Sequence, residues 1–207
     1  MNDEINITEE QIDILAELIN IGMGRAAASL NELLDSFISL QIPKVWVFRT
    51  DSIPDELKKF GENTLSVVKQ NFEGPFSGNV ALVFPPESAN SLVSVLTGEK
   101  ADSPDIDSVK AGTLCEIGNI LINGVLGSIC NVLECFVDFS LPDYTESTIN
   151  FLLNEVALRS KRNVILMAKT CFSIKEYNIE GHFLLLLDTI SFDNLISAVN
   201  DLEKKEK

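Results

Sequence analysis

The sequence repeats itself, and that limits its fold more than any other feature. A shift of 99 residues lays Leu15, Glu17, Asn20, Ile21, Ser29, Leu34, Phe37 and Pro43 on Leu114, Glu116, Asn119, Ile120, Ser128, Leu133, Phe136 and Pro142. Later, residues 78–96 resemble residues 181–199, with Leu82, Ser88, Leu92 and Ser94 recurring as Leu185, Ser191, Leu195 and Ser197. One supersecondary layout must therefore be built twice and packed on itself. A copy of about 90 residues buries its own core poorly. The expectation is one domain over residues 1–207, made of repeats at about 8–98 and 107–203 and related by a pseudo-twofold. Its class is α+β: an antiparallel sheet with two long helices lying side by side on one face.

Within the first repeat, Thr8-Glu9-Glu10-Gln11 has the form of a capping box and opens a helix predicted to end near Ser36. At about 100° per residue, Asp13, Glu17 and Asn20 fall within an arc of roughly 60°. Ile14, Leu15, Leu18, Ile19, Ile21, Leu30 and Leu33 are assigned to the opposite, core-facing side. Gly24, Ala27 and Ala28 continue the polar stripe with almost no side chain, so another surface can come close to it. Pro43 is expected to open a strand over residues 44–49, and residues 52–62 to form a short helix or loop. Strands are expected at 64–71 and 77–84 about a turn at Glu73-Gly74-Pro75, then a helix at 87–96. Residues 98–107 read as a linker, and 145–153 and 164–172 as the remaining strands of the second repeat. Gly22, Gly24, Gly118, Gly124 and Gly127 are costly inside helices and, with the small Ala26, point to close backbone packing.

Composition narrows the function. A formal net charge of -15 and a pI near 4.4 exclude a phosphate-neutralising nucleic-acid surface and disfavour an anionic membrane. No uninterrupted apolar run reaches the roughly 18 residues of a membrane span. The first ten residues lack a basic flank and apolar core, so no signal peptide and a cytoplasmic location are expected. The four cysteines, Cys115, Cys130, Cys135 and Cys171, form no Cys-x-x-Cys pair and read as reduced core thiols. With His182 as the one histidine, in a strand-like run, zinc ligation and Cys/His catalysis both lack their parts. Gly22-Met23-Gly24-Arg25-Ala26-Ala27 superficially fits a dinucleotide fingerprint but lies inside a helical pattern, where that motif cannot work.

What remains is the repeated polar pair. Glu17 with Asn20 recurs as Glu116 with Asn119 at the same helical turn, and each asparagine is followed after 22 residues by a proline, Pro43 or Pro142. From spacing alone, helix-surface hydrogen bonding or shared ancestry without function explains the repeated pair about as well as function does. The pattern of Asp or Ser, three residues, Glu, two residues, Asn, 22 residues and Pro resembles the signature of the CheC-type chemotaxis phosphatases, the CheC, CheX and FliY family. Asp13, Glu17, Asn20 and Pro43 match it throughout. In the second copy Gly112 stands where Asp or Ser is expected. The resemblance covers essentially the whole chain.

The resemblance implies a hydrolase acting on the aspartyl phosphate of a CheY-like response-regulator receiver domain. It makes Glu17, Asn20, Glu116 and Asn119 the catalytic set, the glutamates anchoring on the receiver's lysine and the asparagines orienting water. Asp13, Pro43 and Pro142 become support residues. It implies no cofactor in this chain, because Mg²⁺ comes with the receiver. A non-catalytic adaptor for a CheD-like receptor deamidase or a flagellar switch component is the alternative. Gly112 in place of an acid leads to the expectation that the first site is the stronger.

Overall fold

The computed structural model describes residues 5–34, 38–99, 106–159, 163–174 and 177–206. Helix α1 (Glu9–Leu34) begins at the capping box. The Gln11 backbone N–H donates to Thr8 Oγ1 at 3.2 Å, and the Thr8 N–H to Gln11 Oε1 at 2.9 Å. Two amides with no partner inside the helix are thereby satisfied. There follow β1 (Ile38–Arg49), α2 (Asp55–Lys58), β2 (Leu65–Glu73), β3 (Gly78–Phe84) and α3 (Pro86–Thr97). The second repeat gives α4 (Ile106–Val132), β4 (Asp138–Phe139), β5 (Asp143–Ser147), α5 (Ile149–Arg159), β6 (Asn163–Ile174), β7 (Tyr177–Asp188) and α6 (Thr189–Glu206).

The strands form one antiparallel sheet in the order β1-β6-β7-β3-β2-β4, with β5 also on β2. Each half thus lends its first strand to the other: β1 pairs with β6, and β4 and β5 pair with β2. At the centre the equivalent strands β3 and β7 lie together, Gly78 opposite Leu187 and Val83 opposite His182. Val80–Phe84 and Phe183–Leu187 are wholly buried, so these strands are apolar runs and not alternating ones.

Helices cover both faces. On one face α1, α3, α4 and α6 bury Leu15, Leu92, Leu121 and Leu195 against Val68, Phe84 and Leu185. On the other, Leu57 of α2 and Ile149, Leu152 and Leu153 of α5 close over Val67, Ile165 and Leu184. The expected strand at 145–153 is therefore corrected: only its start belongs to β5, and the rest is α5. Ile149, Leu152 and Leu153 repeat at helical spacing, and the apolar run disguised it. Pro43 does not open its strand but lies within β1, where the register against β6 shifts between Gln41 and Lys44. β1 is an edge strand, so a missing N–H there is tolerated. Ile21 is 37% exposed, not core, because it stands only about 40° around the helix from Glu17. Ser36, the side chain of Leu33 and most of the expected linker lie outside the described residues.

The segment Val109–Val132 of α4 is long and apolar enough to cross a bilayer by length and composition, yet Leu114, Leu121, Val125 and Leu126 are sealed in this core. It meets α1 at a backbone-to-backbone approach. A Cβ on Gly22 would lie 2.5 Å from Val125 Cα, and one on Gly124 would lie 2.9 Å from Ala26 Cβ. Arg25 spans the same seam, donating to Ser128 Oγ at 3.2 Å. Gly127 faces open space. We expect Gly22→Ala to cost about 1–3 kcal/mol by overpacking. Gly127→Ala should gain up to about 1 kcal/mol from helix propensity. Urea denaturation of the two variants checks both.

Charge docks α2 on its face of the sheet. Glu56 takes Lys59 at 2.6 Å and Lys169 at 3.3 Å, and Lys169 also reaches Glu180 at 3.0 Å. The Lys59 ammonium, with Lys169 behind it, holds the Glu56 carboxyl down at about 2. His182 is buried in β7, 3.7 Å from Glu56 and edge-on to Phe60. Burial pushes its pKa below the usual value, with Glu56 opposing. Both shifts act in one direction. The unfolded chain takes a proton at histidine near pH 6.5 and at glutamate near 4.5, while the folded chain resists both, so acidification favours unfolding. Stability is expected to fall as pH drops below about 6.5 and again below about 4.5. His182→Leu should flatten the upper step alone, as read by denaturant titrations across pH.

Candidate functional site

The opposite stripe of each long helix is consumed by the core, so Glu17, Asn20 and Glu116 face outward, while Asn119 is half-buried beside Gln70 of β2. On α1, Leu15, Leu18, Ile19 and Met23 are buried, which leaves Asp13, Glu17 and Asn20 exposed on one stripe. Among the described residues none of these three side chains makes a hydrogen bond or ion pair. Gly24, one turn beyond Asn20, has open space where a Cβ would be, so nothing among the described residues covers the amide from that side. Ala28 is exposed as well, whereas Ala27 turns inward at 7%. The result is an acid, an acid and an amide at helical spacing, followed by bare backbone.

On α4 the same placement arises from Leu114, Ile117, Leu121 and Ile122, all buried. Glu116 is exposed and Asn119 is half-buried. Gly112 sits inside a continuous helix with open space around it and no left-handed φ. It is a plain gap in the acidic stripe: the conformation suits any residue, and the acid is simply missing.

Pro142 lies in the β4–β5 connection, and its carbonyl accepts a long contact from Cys115 Sγ at 4.0 Å. That places the connection against α4 beside Glu116. Burial raises the Cys115 thiol above its usual pKa, with the nearby Asp143 charge adding to the effect. A thiol so placed is a poor nucleophile. Pro43 is fixed by backbone only, at the β1 irregularity, and its side chain lies outside the described residues.

Three residues absent from the sequence expectation complete the second site. Gln70 on β2, 2% exposed, donates through Nε2 to Ser140 O at 2.7 Å and, more weakly, to Asn119 Oδ1 at 3.5 Å. Asn123 donates through Nδ2 to the same Asn119 oxygen at 2.9 Å. Signals for two of them are present in the chain. Asn123 stands four residues after Asn119, one helical turn on. Gln70 shares strand parity with Val68 and Phe72, a polar residue on a core face. Among the described residues no group of His, Cys, Asp and Glu is arranged to hold a metal ion.

This helix-bearing sheet has known relatives. No protein-family model matches the sequence. The chain is 25% identical over 202 residues to the CheY-P phosphatase CheC of Bacillus subtilis, spanning 93% of this chain and 95% of the relative. It is 23% identical over 210 residues to the flagellar motor switch phosphatase FliY of the same organism, spanning 98% of this chain and 52% of the relative. Among solved structures it superposes on Thermotoga maritima FliY with a TM-score of 0.73 at 17% identity, covering 98% of this chain and all of that one. The FliM–SpeE complex from H. pylori gives 0.67 at 14% identity, covering 96% and 98%. The CheX–CheY–BeF3–Mg²⁺ complex from Borrelia burgdorferi gives 0.50 at 18%, covering 84% and 99%.

Proposed function

We propose that this chain, a member of the CheC-type family of chemotaxis phosphatases, hydrolyses the aspartyl phosphate of a CheY-like receiver domain. The observation that carries the reading is the pair of Glu/Asn turns at equivalent positions of two repeated helices, with Glu17, Asn20 and Glu116 exposed and Asn119 half-buried, while the opposite stripe of each helix is consumed by packing. The names of the relatives, CheY-P phosphatases among them, supply the substrate class. The reaction needs little covalent help from the protein. An acyl phosphate is already labile, and the receiver brings Mg²⁺ and a lysine to the phosphoryl group. What it lacks is a water held in line with the scissile P–O bond. The water oxygen forms the new P–O bond, the bond to the aspartyl oxygen breaks, and the carboxylate leaves with the electron pair. The water's proton passes to phosphate or solvent.

In this mechanism Asn20 and Asn119 orient the water, and Glu17 and Glu116 anchor each helix on the receiver's lysine. An amide is neutral at all working pH values, so it positions the water and does not act as a base. Asp13 supports docking at the first site, and Gly112 offers no counterpart at the second. Pro142, beside Cys115, shapes the rim of the second site. On this reading the partner is a cytoplasmic receiver domain, not nucleic acid or a membrane. Since this chain is strongly acidic, salt should modulate association.

The likeness to FliM favours a second reading, an adaptor of the same fold that engages a switch component or a CheD-like deamidase. A phosphorylated receiver with Mg²⁺, followed by phosphate release, separates the two: an adaptor leaves the receiver's lifetime unchanged. On the enzyme reading, Asn20→Ala should lower the rate more than Asn119→Ala, and the double variant should abolish the acceleration. A greater loss from Asn119→Ala would reverse the ranking of the sites.

A further inference from the structure

We infer that Asn123, with Gln70, holds the Asn119 amide with its oxygen already occupied, which makes the second site a docking site of low turnover and Asn123 the positioning residue that sets its rate. This rests on the proposed phosphatase reading and adds a division of labour between the sites.

The polarity of the amide network follows from one atom. Ser140 O is a backbone carbonyl and can only accept, so the Gln70 atom 2.7 Å from it is the amide nitrogen. That nitrogen carries a second hydrogen, which faces Asn119, so the Asn119 atom on this side is the oxygen. Asn123, 2.9 Å from the same oxygen, must donate too. Asn123 thus takes one lone pair of Asn119 Oδ1 and Gln70 faces the other at the 3.5 Å limit of a hydrogen bond, so the oxygen is turned inward and the N–H groups face outward. A water poised for in-line attack must aim a lone pair at phosphorus. An amide oxygen that accepts the water's O–H leaves both lone pairs of the water free and makes its oxygen more nucleophilic, whereas an amide N–H ties up one of the two and makes it less so.

The first site lacks both donors. The shift of 99 residues puts Gly24 where Asn123 stands. Gln70 pairs with Val80 in the sheet, and the equivalent of Val80, Phe183, pairs with Ala168, so an alanine replaces the glutamine. Asn20 is exposed with both ends of its amide available. The second-site network is not arranged for stability either. Gln70 Oε1 and Asn123 Oδ1 are buried with no partner, an arrangement that costs free energy.

The test measures phosphate release from a phosphorylated receiver with Mg²⁺, in an Asn20→Ala background where only the second site works. Adding Asn123→Ala should raise kcat about tenfold with KM unchanged, the rate equivalent of releasing one neutral hydrogen bond. Asn123→Asp keeps the shape without the donor and should do the same, which guards against a folding effect of the alanine. An unchanged or lower kcat in both variants overturns the inference. So does a gain that survives a further Asn119→Ala, since the effect would then not pass through that amide. A wild-type chain without activity sinks the phosphatase reading itself. An active wild type with no gain from either variant sinks this inference alone.

Discussion

Everything in this fold depends on two helix backbones being allowed to touch. Gly22 against Val125 and Gly124 against Ala26 bring α1 and α4 together with no side chain between them. Their apolar stripes can then share one layer over a single sheet. The strand exchange beneath follows the same logic, since β1 completes the sheet of the second half and β4 and β5 that of the first. Neither repeat closes its own sheet edge. The outward stripes of both helices are left over once the inner ones are consumed.

That leftover surface is where chemistry is placed. A rigid helix held by core packing fixes an outward amide better than a loop does, and positioning is what acyl-phosphate hydrolysis demands of a catalyst. The duplication supplied two such amides, and the surroundings then diverged. On α1 Gly24 follows Asn20 by one turn with open space beside it, and among the described residues nothing bonds to the Asn20 amide. On α4 the β4–β5 connection folds back through Ser140 and Pro142, and a buried glutamine joins that connection to Asn119. Two Glu/Asn pairs of the same spacing thus stand in unequal polar environments.

On the far face the sheet carries a different kind of polar cluster. Glu56, Lys169, Glu180 and His182 hold a four-residue helix in place where apolar area is scarce. Short helices make few apolar contacts, so charge takes a larger share of their attachment, and with it comes sensitivity to acid. This cluster lies across the sheet from the exposed amides and has no part in the chemistry argued for them.

The sequence by itself determined the repeat, the capping box at Thr8, the central apolar strands, and the exposure of Asp13, Glu17, Asn20 and Glu116. All of these are written in local periodicity, and local periodicity survives whatever the neighbours do. It misread residues 145–153 because an apolar helix only three turns long looks like a buried strand. It misplaced Ile21 because the edge of a helical stripe is decided by what packs beside it. Only the tertiary structure decided that β1 and the β4–β5 pair would change halves, and that Gln70, 49 residues from Asn119 in the chain, would reach its amide. Hydrogen bonds between distant segments leave no periodic trace. The difference between the two sites therefore lies in contacts that exist only once the chain has folded.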